Sequence, residues 1–174
     1  SESPGSLADD DSDVAERLAT LIDRMRERYD FVTELDSDAL ITVVRGFHDG
    51  DDDATIATRL DCEPAVVRKA RLDLHLVREA DREAPFEFDQ LRQLLAEELP
   101  LEERAERLDV SVETAREYSE VAAADRRSTR ANDRFRDAFA ELLTDADLTD
   151  RLAADAHKDG LGEATEDMET DVSF

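Results

Sequence analysis

The chain has 174 residues, of which 40% are hydrophobic and 40% charged, so it can bury the core of one or two small domains and is no disordered tail. Asp and Glu number 47 against 22 Lys and Arg, a formal net charge of -25, which excludes a nucleic-acid binder held by bulk positive charge. Five Gly and four Pro exclude collagen-like and linker-like compositions, and no apolar run is long enough for a membrane span.

A lone cysteine, Cys62, leaves no internal disulfide, and Ser1 to Gly5 carry no apolar signal core, so a cytoplasmic location is expected. Basic residues are nearly all Arg, with Lys only at Lys69 and Lys158, while acids run along the whole length. That composition suits molar intracellular salt, where a Debye length of roughly 3 Å screens the self-repulsion of the surface. The acidity then reflects the solvent before any partner.

In chain order, residues 1–13 are polar and acidic and read as a mobile arm. Val14, Leu18, Leu21, Ile22, Met25 and Tyr29 follow at helical spacing, predicting an N-terminal amphipathic helix over 14–31 with Asp13 as its cap. After a second cap at Asp36 or Ser37, Leu40, Val43, Val44 and Phe47 share one face of a helix that stops at Gly50. Asp51 to Asp53 cap a short helix with Ile56, Ala57 and Leu60, and Pro64 opens another expected to reach Val77.

This pattern occurs twice. Shifted by 48 residues, Ala57, Arg59, Leu60, Asp61 and Arg68 fall on Ala105, Arg107, Leu108, Asp109 and Arg116, and Leu40, Val43 and Phe47 fall on Phe88, Leu91 and Leu95. Each copy reads as a helix, a short helix, a tight turn and a longer third helix, with Ala where two helices approach and Ser111 capping the last helix of the second copy. The expected fold is therefore all-α. Tandem three-helix helix-turn-helix units occupy 36–78 and 84–124, flanked by the N-terminal helix and by C-terminal amphipathic helices over 125–158, with an acidic tail at 159–174.

Charge separates the two units. The third helix of the first carries Arg68, Lys69 and Arg71 with Arg78 beyond, a basic segment in an acidic chain, whereas Glu113, Glu117 and Glu120 outweigh Arg116 in the second. Ala65, Arg68, Lys69 and Arg71 are thus the expected contacts to double-stranded DNA, with Arg78 and Arg82 reaching outer phosphates. Five arginines lie between Arg126 and Arg136 against the single Asp133, which makes Arg126, Arg127 and Arg130 possible secondary contacts to nucleic acid. Ala131, Phe135, Phe139 and Leu142 form an apolar stripe there, read as a homodimer seam.

Constellations for catalysis are missing from the sequence. His48, His75 and His157 are far apart, Cys62 aligns with Val110 as a small core residue, and Asp49 to Asp53 lack the Glu a calcium loop requires. Neither an enzyme nor a metal or other cofactor is expected.

The segments Met25 to Tyr29, Ala70 to Arg78, Ala84 to Phe86 and Met168 to Phe174 resemble the conditioned medium-induced protein 4 family of haloarchaea. The likeness runs from about Asp13 onward. It implies expression that responds to spent medium, as in density sensing, and supplies no catalytic or binding residues. Two functions follow as expectations: a DNA-binding transcriptional regulator responding to growth phase or cell density, or a non-DNA adaptor whose acidic helix-turn-helix units bind a protein or ribosomal partner.

Overall fold

In a computed structural model, which describes residues 3–130, 134–148 and 151–152 with side chains from residue 12 onward, every described regular element is helical. They are α1 (Ser3–Arg28), α2 (Ser37–His48), α3 (Asp53–Leu60), α4 (Pro64–Asp73), a 3-10 turn (Glu79–Arg82), α5 (Phe88–Ala96), α6 (Leu101–Leu108), α7 (Val112–Thr129) and α8 (residues 135–148). None of the described helices is long and apolar enough to cross a membrane.

Short polar side chains start three of them. Asp36 accepts from Ala39 N–H, Asp52 from Thr55 N–H and Ser111 from Thr114 N–H, each satisfying a donor that the first helical turn leaves open. The bond from Thr55 also holds the Asp52 carboxyl below its ordinary pKa. Pro64 sits in the first turn of α4, where no backbone N–H is needed.

Helix ends repeat one device. Gly50, Asp61, His75, Glu98 and Asp109 all have positive φ. At each, the next residue's N–H reaches back five residues: Cys62 to Ala57 O at 3.0 Å and Val110 to Ala105 O at 3.0 Å, Asp51 to Gly46 O at 2.9 Å and Leu99 to Leu94 O at 3.2 Å, and Leu76 to Arg71 O at 2.9 Å. These are Schellman closures. Gly50 and Glu98 are 48 residues apart, as are Asp61 and Asp109, so the backbone follows the sequence register through both turns.

α1, α2, α3 and α4 close one core around Leu18, Ile22, Met25, Leu40, Val43, Ile56 and Val67, and Phe135, Phe139 and Leu143 of α8 complete it. A smaller core of Leu91, Leu94, Leu108 and Ala122 joins α5, α6 and α7. α7 connects the two, because Val121 and Ala124 pack on Leu72 and Val77. Gly46 lets α2 approach α3: a Cβ there would lie 2.6 Å from Ile56 Cγ1.

Several boundaries differ from expectation. α1 begins at Ser3, so Asp13 is not its cap and 3–13 belong to the helix; Pro4 falls in the first turn and nothing after it interrupts a helix. α4 ends at Asp73, not Val77, because His75 turns left-handed, yet Val77 is still buried. The C-terminal helices expected from 125 onward start later: residues 125 to Thr129 belong to α7, and α8 is separate. Leu148 and Leu152, within the span of the expected C-terminal amphipathic helices, are exposed. The tail 159–174 and Ala131 lie outside the described residues.

Three of the four residues expected in a dimer seam serve this chain's own core instead. Phe135 and Phe139 are buried in this chain's own core, with Leu142 packed against it. Burying a Phe stabilises by roughly 1.5–3 kcal/mol, and these rings find that burial in the core that α1 to α4 close.

Candidate functional site

The basic residues around α4 divide sharply. Arg71 is 1% exposed. Its Nε and Nη2 donate to Asp53 at 2.6 and 2.8 Å, its Nη1 and Nη2 to Asp81 at 2.8 and 3.1 Å, and Nη1 also to Leu76 O at 2.9 Å. Burial by itself lowers the pKa of this guanidinium, but the bonds to Asp53 and Asp81 outweigh it and hold the pKa above the ordinary arginine value. Asp81 shows the reverse: burial raises its pKa, and the bonds from Arg71 and the Arg78 N–H outweigh that and bring it below the usual carboxylate value. Arg71 is therefore an internal tie and no DNA contact.

Arg78 and Arg82 are likewise engaged. Arg78 donates to Asp51 O at 2.6 Å and lies 5.1 Å over the Phe47 ring, while Arg82 pairs with Asp125 at 3.0 Å. Neither is the free outer cation that the sequence suggested, because acids distant in sequence fold onto them. Of the six expected contacts, the outer face of α4 keeps exposed Ala65 and Lys69 and half-buried Arg68. Exposed Asp61 and Glu63 flank them, together with Val66.

The matching face of α7 exposes Val112, Glu113, Arg116, Glu117 and Glu120. It is acidic with one apolar point.

Sequence reasoning did not find the cleft between α5 and α7. Its volume is about 900 Å³, and Arg92, Arg126, Arg127 and Arg130 line it with Asp125 and Glu98. Leu95, Ala96, Ala122 and Ala123 supply apolar wall. Asp125 accepts from both Arg82 at 3.0 Å and Arg92 at 2.8 Å. Arg127 is half-buried; its Nε donates to His75 Nε2 at 3.1 Å, and its guanidinium lies 5.8 Å from the Tyr29 ring centre. Burial lowers its pKa, and Asp73 opposes that shift. Arg126 and Arg130 are exposed. A recess of about 250 Å³ between α4 and α7, which includes Lys69 and Asp73, shares Ala123 and Arg127 with this cleft.

The described residues contain no group of three or more His, Cys, Asp or Glu placed to hold a metal ion. No protein family, curated protein or solved structure matches the chain.

Proposed function

We propose that the chain is a non-catalytic adaptor built from tandem helix-turn-helix units, which binds a protein partner through the outer faces of α4 and α7. The observation that carries this reading is the enclosure of Arg71 between Asp53 and Asp81, with Arg78 and Arg82 engaged beside it. The first unit loses three of the cations that a polyanion would meet, Arg71, Arg78 and Arg82. What the two faces offer outside is Val66 and Val112 among mixed or acidic charge, which suits a protein with apolar and basic groups. The paired closures at Asp61 and Asp109 support the helix-turn-helix reading. Membership in the conditioned medium-induced protein 4 family and a working environment of molar salt fit the same proposal, since screened charges leave apolar contact as the main attraction.

DNA binding is the second reading, favoured by Lys69 and Arg68 lying beside Ala65 on one turn of α4. Affinity isolation of the full chain in molar KCl, with and without nuclease, separates the two. The adaptor reading expects a defined protein complex that survives nuclease, is lost in Val66→Asp with Val112→Asp, and persists in Arg68→Ala with Lys69→Ala. Recovery that vanishes with nuclease and with the Arg68 and Lys69 changes overturns it in favour of DNA.

A further inference from the structure

We propose that the cleft between α5 and α7 binds a phosphate ester, gripped by Arg126, Arg127 and Arg130. The site is concave, and its volume of about 900 Å³ lies within the range of small-molecule sites. Its lining carries four arginines against Asp125 and Glu98, in a chain where acids outnumber bases two to one. Arg82 and Arg92 share Asp125, so that carboxylate is already compensated twice and does not neutralise the other arginines. Among the described residues no carboxylate lies at ion-pair distance from Arg126, Arg127 or Arg130, in a chain with 47 acids to offer.

These three arginines fall at i, i+1 and i+4 at the end of α7, where Arg126 and Arg130 are like charges one turn apart and repel. Arg130 also lowers the pKa of Arg127, so the two are felt as neighbours. Cations at a helix C-terminus are favourable, which accounts for basic residues there in general. It does not account for three of them converging on a cavity.

A phosphate group supplies what is missing. Guanidinium forks meet phosphate oxygens through paired, charge-assisted hydrogen bonds. The small side chains of Ala96, Ala122 and Ala123 leave room for an organic moiety beside the phosphate, and Leu95 gives it an apolar wall. Arg127 spends its Nε on His75 Nε2 and lies beside Tyr29, so it offers the ligand only its Nη groups, and Arg126 and Arg130 supply the open forks. The inference is independent of the adaptor reading, since the cleft is not on the outer faces of α4 and α7.

The ester could be carried by a nucleotide or by the backbone of a polynucleotide, and the test distinguishes these sources. Isothermal titration calorimetry on the full chain in molar KCl uses ATP in one arm and a short single-stranded oligodeoxynucleotide without terminal phosphate in the other. Saturable binding of one probe per chain is expected, weakened at least about tenfold by Arg126→Ala with Arg130→Ala. Arg107→Ala with Arg116→Ala, which removes exposed arginines elsewhere, should change nothing. Tighter binding of ATP assigns a free nucleotide, and tighter binding of the oligonucleotide assigns a backbone. Circular dichroism checks that the variants keep their helices, and Arg126→Gln with Arg130→Gln replaces the alanine pair if they do not. Absence of saturable binding by either probe, or equal weakening by the Arg107 and Arg116 changes, overturns the proposal.

Discussion

Behind the turn from α3 to α4 a buried guanidinium, Arg71, ties Asp53 to Asp81; 48 residues on, behind the turn from α6 to α7, the matching positions hold Ser119, Leu101 and Thr129. There Arg104 donates to Ser119 Oγ at 2.6 Å, and Ser119 in turn donates to Ala115 O. The two turns nevertheless close with the same backbone bonds around Asp61 and Asp109. Local hydrogen bonding defines the turn, and the support behind it is free to vary. The functional lesson is that a guanidinium enclosed behind a turn no longer belongs to the surface. The first segment is the more basic in sequence, yet Arg71, Arg78 and Arg82 are tied to acids or carbonyls, while Arg126 and Arg130 at the end of α7 stay exposed.

The segments also differ in how much core each has, and the largest expected effect exploits this. Phe139→Ala empties the core shared by α1, α2 and α8 and should cost about 3–5 kcal/mol, read by urea denaturation in molar KCl. Hydrogen exchange should then accelerate in α1, α2 and α8 well before α5 and α6; equal acceleration everywhere would show that the two cores are not separate and break the comparison. Next, Gly46→Ala drives a Cβ to 2.6 Å from Ile56 Cγ1, with an expected cost of roughly 1–3 kcal/mol. The second segment has Leu94 at that place, already a core side chain, so no such penalty applies there.

Acid acts on the support of the first segment through two carboxylates of opposite sign. The folded pKa of Asp81 lies below its unfolded value, so its contribution is present above the ordinary carboxylate pKa and is lost as pH falls through the depressed one. Asp73 has the opposite sign, because burial raises its folded pKa against the N–H bonds of Thr33 and Val32. Urea midpoints followed from neutral into acid should therefore fall less steeply for Asp81→Asn than for the wild type; identical slopes would remove Asp81 from the account. A smaller effect is expected from Ser119→Ala, about 0.5–1.5 kcal/mol for its hydrogen bonds, which tests whether the second support is as light as it looks.

Much of this was readable in the residues. Spacing located every helix from α2 to α7, and the register of 48 residues anticipated that Asp61 and Asp109 would play one role. The internal position of Arg71 also left a trace: it falls four residues after Val67 and three before Leu74, on the apolar stripe of α4, where a charged side chain must find partners inside. Which acids those would be was not legible, since Asp53 lies 18 residues back and reaches Arg71 only through the turn. The stripe on α8 was legible too, but periodicity says which face is buried and not against what. A seam between chains and a lid on the chain's own core have the same pattern. The cleft was invisible because it is made by α5 and α7 from separate stretches of sequence.

The central claim is that Arg71 holds the first segment together from within. Its most direct test is the unfolding free energy of Arg71→Met measured beside Arg71→Met with Asp53→Asn and Asp81→Asn, all in molar KCl. Removing the guanidinium alone leaves two carboxylates without their partner and should cost about 3–5 kcal/mol, and the triple change should recover most of that loss. A single variant as stable as the wild type would make Arg71 a dispensable surface cation and contradict the account.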